Sequence, residues 1–334
     1  MAEALIINCS PTAKSLPIRV GLREKTFARH GIDLLLVSTD NSREQRSGLA
    51  RRDFHVVHVA VDNAIAMRDV DQLDVIVVMG GDSGMNEFFV QSHVASIADI
   101  RGGRLVVDAP DTAFALQAYK ILEDQGLARD RDYQVVAIGR GELRIQAMRA
   151  DKANTAAILN LPYSLEARRL GLRSLGDTTK FIGPYQAGSA FAMRAWAEAH
   201  REQLIRYIAA YLESLRWVLD PRNHQACADI LIADLGTAPD IANETMELLR
   251  RPGFGLEPQA AIDEAGLRNT IALRASQQAS SRLRDPREYV DLSYYTAALA
   301  LAKAQAPFAD PEHFETAEKE IAREKRHAHL SFRK

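Results

Sequence analysis

The run Asn8-Cys9-Ser10-Pro11-Thr12 follows the apolar stretch 5–7 and puts a thiol and two hydroxyls where a strand gives way to a loop. A thiol there can act as a nucleophile if a base or a cation lowers its pKa, and His55, His58 and Arg19 are the candidates for that role. The plainer reading is a small buried side chain, the commoner fate of an unpaired cysteine. The residues alone leave both readings open.

Other polar groups recur at the ends of apolar runs. Asp62 and Asn63 follow one run, Asp82 and Ser83 follow Gly80-Gly81, and Asn160, Pro162 and Tyr163 follow another. Such loops, at the carboxyl ends of strands in an open α/β sheet, are where ligands bind. Tyr163 offers a face for stacking on a planar ligand. Asp111-Thr112-Ala113, after Pro110, reads as a helix start, where backbone N–H groups favour anions and Asp111 or Thr112 can cap. Asp111 brings its own negative charge, so a neutral, aromatic or heterocyclic ligand is expected there before sulfate or phosphate. Tyr185 lies where the chain is expected to cross between lobes and can close a cleft from the hinge side.

Other chemistries find no support. His55 and His58 differ by an odd number on a strand and face opposite sides. His327 and His329 fall in a charged tail, and no cluster has zinc spacing, so no metal or other cofactor is expected. Gly80-Gly81-Asp82-Ser83-Gly84 lacks the glycine two residues after Ser83 that a nucleophile elbow needs. Gly139-Arg140-Gly141 starts a dinucleotide pattern that Arg144 breaks. Two cysteines make no disulfide framework.

Composition is that of a folded globular chain: 334 residues, 47% hydrophobic and 26% charged, enough for two lobes with a core each. A net charge of −2 with dispersed lysine and arginine leaves no footprint for nucleic acid. No apolar window is long enough for a membrane span. Met1-Ala2-Glu3 runs into the first strand without a basic and apolar leader. A periplasmic location therefore requires a leader upstream of this sequence, and Met1 as the true start would leave the protein in the cytoplasm.

The elements that must position these groups follow from the apolar pattern. Residues 76–79 form a buried strand stopped by Gly80 and Gly81; extended structure resumes at 88–90 and again at 105–107. A helix follows Pro110 with Ala113, Phe114, Leu116, Ile121 and Leu122 largely on one face. Helix, short turn, strand and polar loop occur twice, at 42–63 and 142–163, as expected of two similar α/β lobes that each point a loop at a shared cleft. Residues 171–180 read as a connector and 189–193 as a strand returning to the first lobe. From 195 onward the chain reads as helical.

The stretch 96–127, SIADIRGGRLVVDAPDTAFALQAYKILEDQGL, carries Asp99, Ile100, Gly102, Arg104, Asp108, Gly126 and Leu127. It resembles the start of the second lobe in ABC-importer binding proteins for alkanesulfonates, taurine, nitrate and thiamine precursors. Gly31-Ile32-Asp33 matches the same family earlier, and the likeness covers most of 4–275. The resemblance implies a two-lobed type II periplasmic-binding-protein-like α/β fold with two crossover segments, near 80–88 and 180–190, and a helical C-terminal part. Lobe I would comprise 1–82 and 188–305, lobe II 83–187, and 306–334 a charged helix or tail. It further implies a small organic ligand (aromatic acid, sulfonate or pyrimidine-like) bound between the lobes, with an importer permease as partner. Cys9, Ser10, Thr12, Asp62, Asn63, Asp82, Ser83, Asp111, Thr112, Ala113, Asn160, Pro162, Tyr163 and Tyr185 are the expected contacts. The alternative is a cytoplasmic desulfinase-, decarboxylase- or hydrolase-like enzyme. A hydroxybiphenyl sulfinate desulfinase resembles this fold and has an Asn–Cys pair on its first strand-end loop, which would make Cys9 the nucleophile. The cysteine-rich run of the yeast-type pyrimidine synthases is absent.

Overall fold

A computed structural model describes residues 4–39, 41–278 and 282–305. Its ten strands are β1 (Leu5–Cys9), β2 (Leu34–Val37), β3 (Val56–Ala60), β4 (Val75–Asp82), β5 (Glu87–Val90), β6 (Arg104–Val107), β7 (Gln134–Ala137), β8 (Asn154–Leu159), β9 (Arg173–Asp177) and β10 (Gly188–Met193). They form two five-stranded sheets, ordered β2-β1-β3-β10-β4 and β7-β6-β8-β5-β9. In each sheet three parallel strands are followed by one antiparallel strand that the chain brings from the other sheet, β10 in the first and β5 in the second. This is the two-lobed α/β architecture with two crossings.

Side-chain alternation divides each sheet into two cores. On β1, Leu5, Ile7 and Cys9 pack into the core under helix Arg201–Leu219, while Ile6 packs on the opposite face. On β4, Ile76 and Val78 face the first core, Val75 and Val77 the second. In the second sheet Phe88, Val90, Leu105, Val107, Ala156 and Ile158 face one core, and Phe89, Val106, Ala157 and Leu159 the other. Strands covered on both faces read as continuous apolar runs, which β4 does.

Helix Glu264–Gln277 binds the returning crossover. Gln186 accepts from the Asp263 N–H at 2.7 Å, and Asn269 donates to the carbonyls of Ile182 and Pro184 at 2.7 Å each. The Thr270 hydroxyl reaches Gln186 O.

Three expectations need correction. Gly80 and Gly81 do not stop β4, which continues to Asp82. A Cβ on Gly80 would stand 2.1 Å from Ala261 O, and one on Gly81 3.2 Å from Gly188 C, so these glycines admit close backbone neighbours to a strand that goes on. Residues 171–180 are no mere connector, because β9 pairs there with β5. The helical region past 195 breaks at His200 into Arg194–Ala199 and Arg201–Leu219. The expected tail at 306–334 lies outside the described residues.

Candidate ligand cleft

The carboxyl ends of the parallel strands in both sheets converge on one cleft enclosing about 120 Å³. From the first sheet come the 10–15 loop after β1, Thr39 after β2 and Asn63 after β3. From the second come Asp108, Ala113 and Phe114 after β6, Arg140, Gly141 and Arg144 after β7, and Asn160 and Tyr163 after β8. The lobes touch across it. Ala13 N–H donates to Leu161 O at 3.3 Å, the Tyr163 hydroxyl to Pro11 O at 3.4 Å, and Arg46 pairs with Asp111 at 2.7 Å.

On the first-sheet side Lys14 Nζ lies 2.9 Å from Asp82 Oδ1, which also accepts the Gly84 N–H at 2.7 Å. A Cβ on Gly188 would meet Asp82 Oδ2 at 2.0 Å, so only glycine fits beside this carboxylate. His58, at the cleft end of β3, stands edge-on to Tyr211 with centroids 4.6 Å apart. Burial pulls its imidazole down to about 4, against the opposing pull of Asp82, and the ring is neutral at pH 7. Gln45 donates to Ser10 Oγ at 3.1 Å.

On the second-sheet side Arg144 is buried. Its guanidinium donates to Ile158 O and lies 4.6 Å from the Phe114 ring centroid, while its Nε has no hydrogen-bond partner. Burial lowers the Arg144 pKa, and Asp108 and Tyr163 act in the other direction. Asp108 beside it is pushed up by burial, offset in part by Arg144 and by the hydrogen bond from Thr112. Two helices start at this wall, Ala113–Asp124 and Gly141–Ala150, and neither has a side-chain cap on its first N–H groups. The Tyr163 ring leaves no space for a Cβ at Gly141, which would sit 2.5 Å from it.

A family model described as the NMT1-like family matches residues 3–232, more than half of the chain. The chain belongs to the NMT1-like family. No curated protein sequence matches it. Among solved structures it resembles a protein from Bordetella bronchiseptica RB50 (TM-score 0.77, 17% identity, 90% of this chain and 98% of that one). It also resembles the periplasmic nitrate-binding protein of Synechocystis PCC 6803 (TM-score 0.76, 10% identity, 92% and 91%). The alkanesulfonate-binding protein of Xanthomonas axonopodis pv. citri, bound to MOPS, gives a TM-score of 0.71 at 14% identity, over 87% and 99%. At these identities the likeness establishes the periplasmic-binding-protein-like fold.

In this NMT1-like chain Ser10, Thr12, His58, Asn63, Asp82, Ala113, Asn160 and Tyr163 line the cleft. Other expected residues do not. Cys9 has the parity of Leu5 and Ile7, so it points into the core; burial pushes its thiol up to about 11, outweighing the nearby Arg19. Arg19 is committed to Asp234 at 3.2 Å, and His55 accepts the Ile6 N–H and stacks on Trp196. The nucleophile with its activating groups is therefore not assembled. Asp62 is buried against Arg274, with both contacts at 2.6 Å, and Asp111 faces Arg46, and Arg43 at 3.7 Å. Thr112 precedes helix Ala113–Asp124, yet its hydroxyl turns back to Asp108 and Ala109 O and caps nothing. Ser83 lies in the crossing outside the cleft wall, Pro162 is buried beside it in a cis bond with Leu161, and Tyr185 is packed in the second-lobe core.

Sequence reasoning missed Lys14, Asn41, Gln45, Phe114, Arg144 and Tyr211. Lys14 lies two residues beyond the run Asn8–Thr12 already singled out, and Arg144 follows Gly141 by three residues, one helical turn from the loop after β7. Tyr211 belongs to helix Arg201–Leu219, distant in sequence, and carried no local signal. Among the described residues no group of His, Cys, Asp or Glu could hold a metal ion, and no helix is long and apolar enough to cross a membrane.

Proposed function

We propose that this protein binds a small organic ligand between its lobes, as the solute-binding component of an ABC importer. The observation that carries the reading is the cleft itself. Strand ends of both sheets supply polar and aromatic groups to one small space, so a ligand touching both lobes favours the closed form through its differential affinity. Ser10, Thr12, Asn63, Asp82, Asn160 and Tyr163 are the contacts proposed from that lining. The titles of the similar structures, nitrate-binding and alkanesulfonate-binding, point to the same class of role. A permease partner follows from the transport reading.

A ligand that binds only the native state raises its melting temperature by mass action. Thermal-shift and calorimetric screening of aromatic acids, sulfonates and pyrimidines should return at least one compound that binds one-to-one and is recovered unchanged. Small-angle scattering should show the protein contracting as it binds. Consumption of the compound, or stabilisation without any change in shape, would overturn the binding-by-closure reading. The importer role predicts that cells lacking the protein lose uptake of that compound.

A further inference from the structure

The cleft holds a buried cation that makes no salt bridge among the described residues. Arg144 is 2% exposed, lines the cleft, and its Nε has no hydrogen-bond partner. Its neighbouring carboxylate, Asp108, accepts the Thr112 hydroxyl and makes no direct salt bridge to Arg144 among the described residues; burial pushes Asp108 up, and the Arg144 charge pulls it back down. A buried charge is costly unless it is paired. The charged groups of the lining are Lys14, Arg140 and Arg144 against Asp82 and Asp108; Lys14 with Asp82 forms a closed pair at 2.9 Å, and Arg140 lies 3.6 Å from Glu142. Two uncapped helix starts, at Ala113 and Gly141, stand on the same wall as Arg144 and add partial positive charge. Asp111, the negative charge expected to repel an anion here, does not line the cleft and is held by Arg46.

Building on the proposed binding role, we propose that the ligand is a small organic acid with a single negative group, carboxylate or sulfonate, seated on Arg144 against the starts of helices Ala113–Asp124 and Gly141–Ala150. The rings of Tyr163 and Tyr211 border the space left for its body. The acid group supplies the direct salt bridge that no described side chain makes to Arg144.

The test is calorimetry on the full chain with matched pairs: benzoate, nicotinate and short alkyl carboxylates beside their amides, and benzenesulfonate and short alkanesulfonates beside their sulfonamides. The acids should bind at least tenfold tighter than their neutral partners. Which acid series binds tighter decides between carboxylate and sulfonate. Arg144→Met should weaken acid binding about 100-fold, while Arg144→Lys, which keeps the charge, should recover part of it. A merely structural Arg144 makes a different prediction. Removing an unpaired buried cation should leave the melting temperature of the ligand-free protein unchanged or raised, whereas loss of a structural side chain would lower it. If the amides bind as tightly as the acids, the acid inference is wrong and the solute-binding reading survives. If no member of any pair binds while a pyrimidine does, the acid inference is likewise wrong and the solute-binding reading stands; if none of these compounds binds, both fall. A lowered melting temperature in Arg144→Met with acid binding intact would likewise overturn the assignment.

Discussion

Among the described residues Arg274 and Arg144 are the most deeply buried arginines, and their surroundings differ in one respect. Arg274, with 0% exposure, meets both oxygens of Asp62 at 2.6 Å and donates to Asp111 O at 2.8 Å. Arg144, on the cleft wall, is nearly as buried but has a carbonyl, a phenyl face and an unpartnered Nε. One charge is complete within the fold and ties helix Glu264–Gln277 to both lobes. The other is left incomplete where the lobes meet. The contrast separates structure from recognition better than residue type does, because a satisfied buried ion has nothing left to offer a ligand.

The strongest way to break this comparison is to orphan Arg274. Asp62→Ala leaves its guanidinium buried and unpaired, and should cost about 3–5 kcal/mol in denaturant unfolding. A loss under about 1 kcal/mol would mean that the pair is no more stabilising than a surface ion pair. Arg144→Met should show no comparable loss, and measuring the two variants side by side is the sharpest form of the contrast.

A smaller effect should come from His58, also at the cleft. Folding depresses its pKa from the ordinary 6.5 to about 4, chiefly by burial. The unfolded chain therefore takes up the proton first as pH falls. The stability contributed by a neutral His58 is fully present above pH 6.5 and is lost as pH drops through 4, by about 2 kcal/mol after discounting for a ring partly open to the cleft. His58→Asn should remove that part of the acid dependence, and an unchanged pH profile in the variant would show that other groups control it.

Across the lobes, Asp111→Asn weakens the contact with Arg46, a partly exposed ion pair worth about 1 kcal/mol, so ligand affinity should fall about fivefold. Fold stability should barely change, because the pair bridges lobes and lies outside the cores. The smallest effect is expected at Cys9. Cys9→Ala should leave ligand affinity within about twofold and cost about 1 kcal/mol of packing. Native protein should also resist thiol reagents, since the thiol is buried and its pKa lies near 11. Loss of binding in this variant would restore Cys9 to the cleft.

Much of the fold was legible because strands repeat with period two and end at polar loops. Leu5, Ile7, Val75, Val77, Leu105 and Val107 sit on their faces as that pattern requires. The same parity argument, applied to Cys9, places the thiol in the core beside Leu5 and Ile7. The strand β9 was harder to see. Its sequence RSLGD has little apolar character, and it is extended because β5 offers it an edge.

The sequence by itself determined the two α/β lobes, the loops at their strand ends, and Ser10, Asn63, Asn160 and Tyr163 as groups those loops carry. These depend on local periodicity and on turn residues, which neighbours in the chain specify. Tertiary structure alone decided which charges were spent. Asp62 is joined to Arg274 across 212 residues, Asp111 to Arg46 across 65, and Tyr211 reaches His58 from a distant helix. Ion pairing depends on distances of a few ångströms between elements far apart in sequence. Only the assembled fold could therefore show that Arg144, unlike Arg274, makes no salt bridge among the described residues.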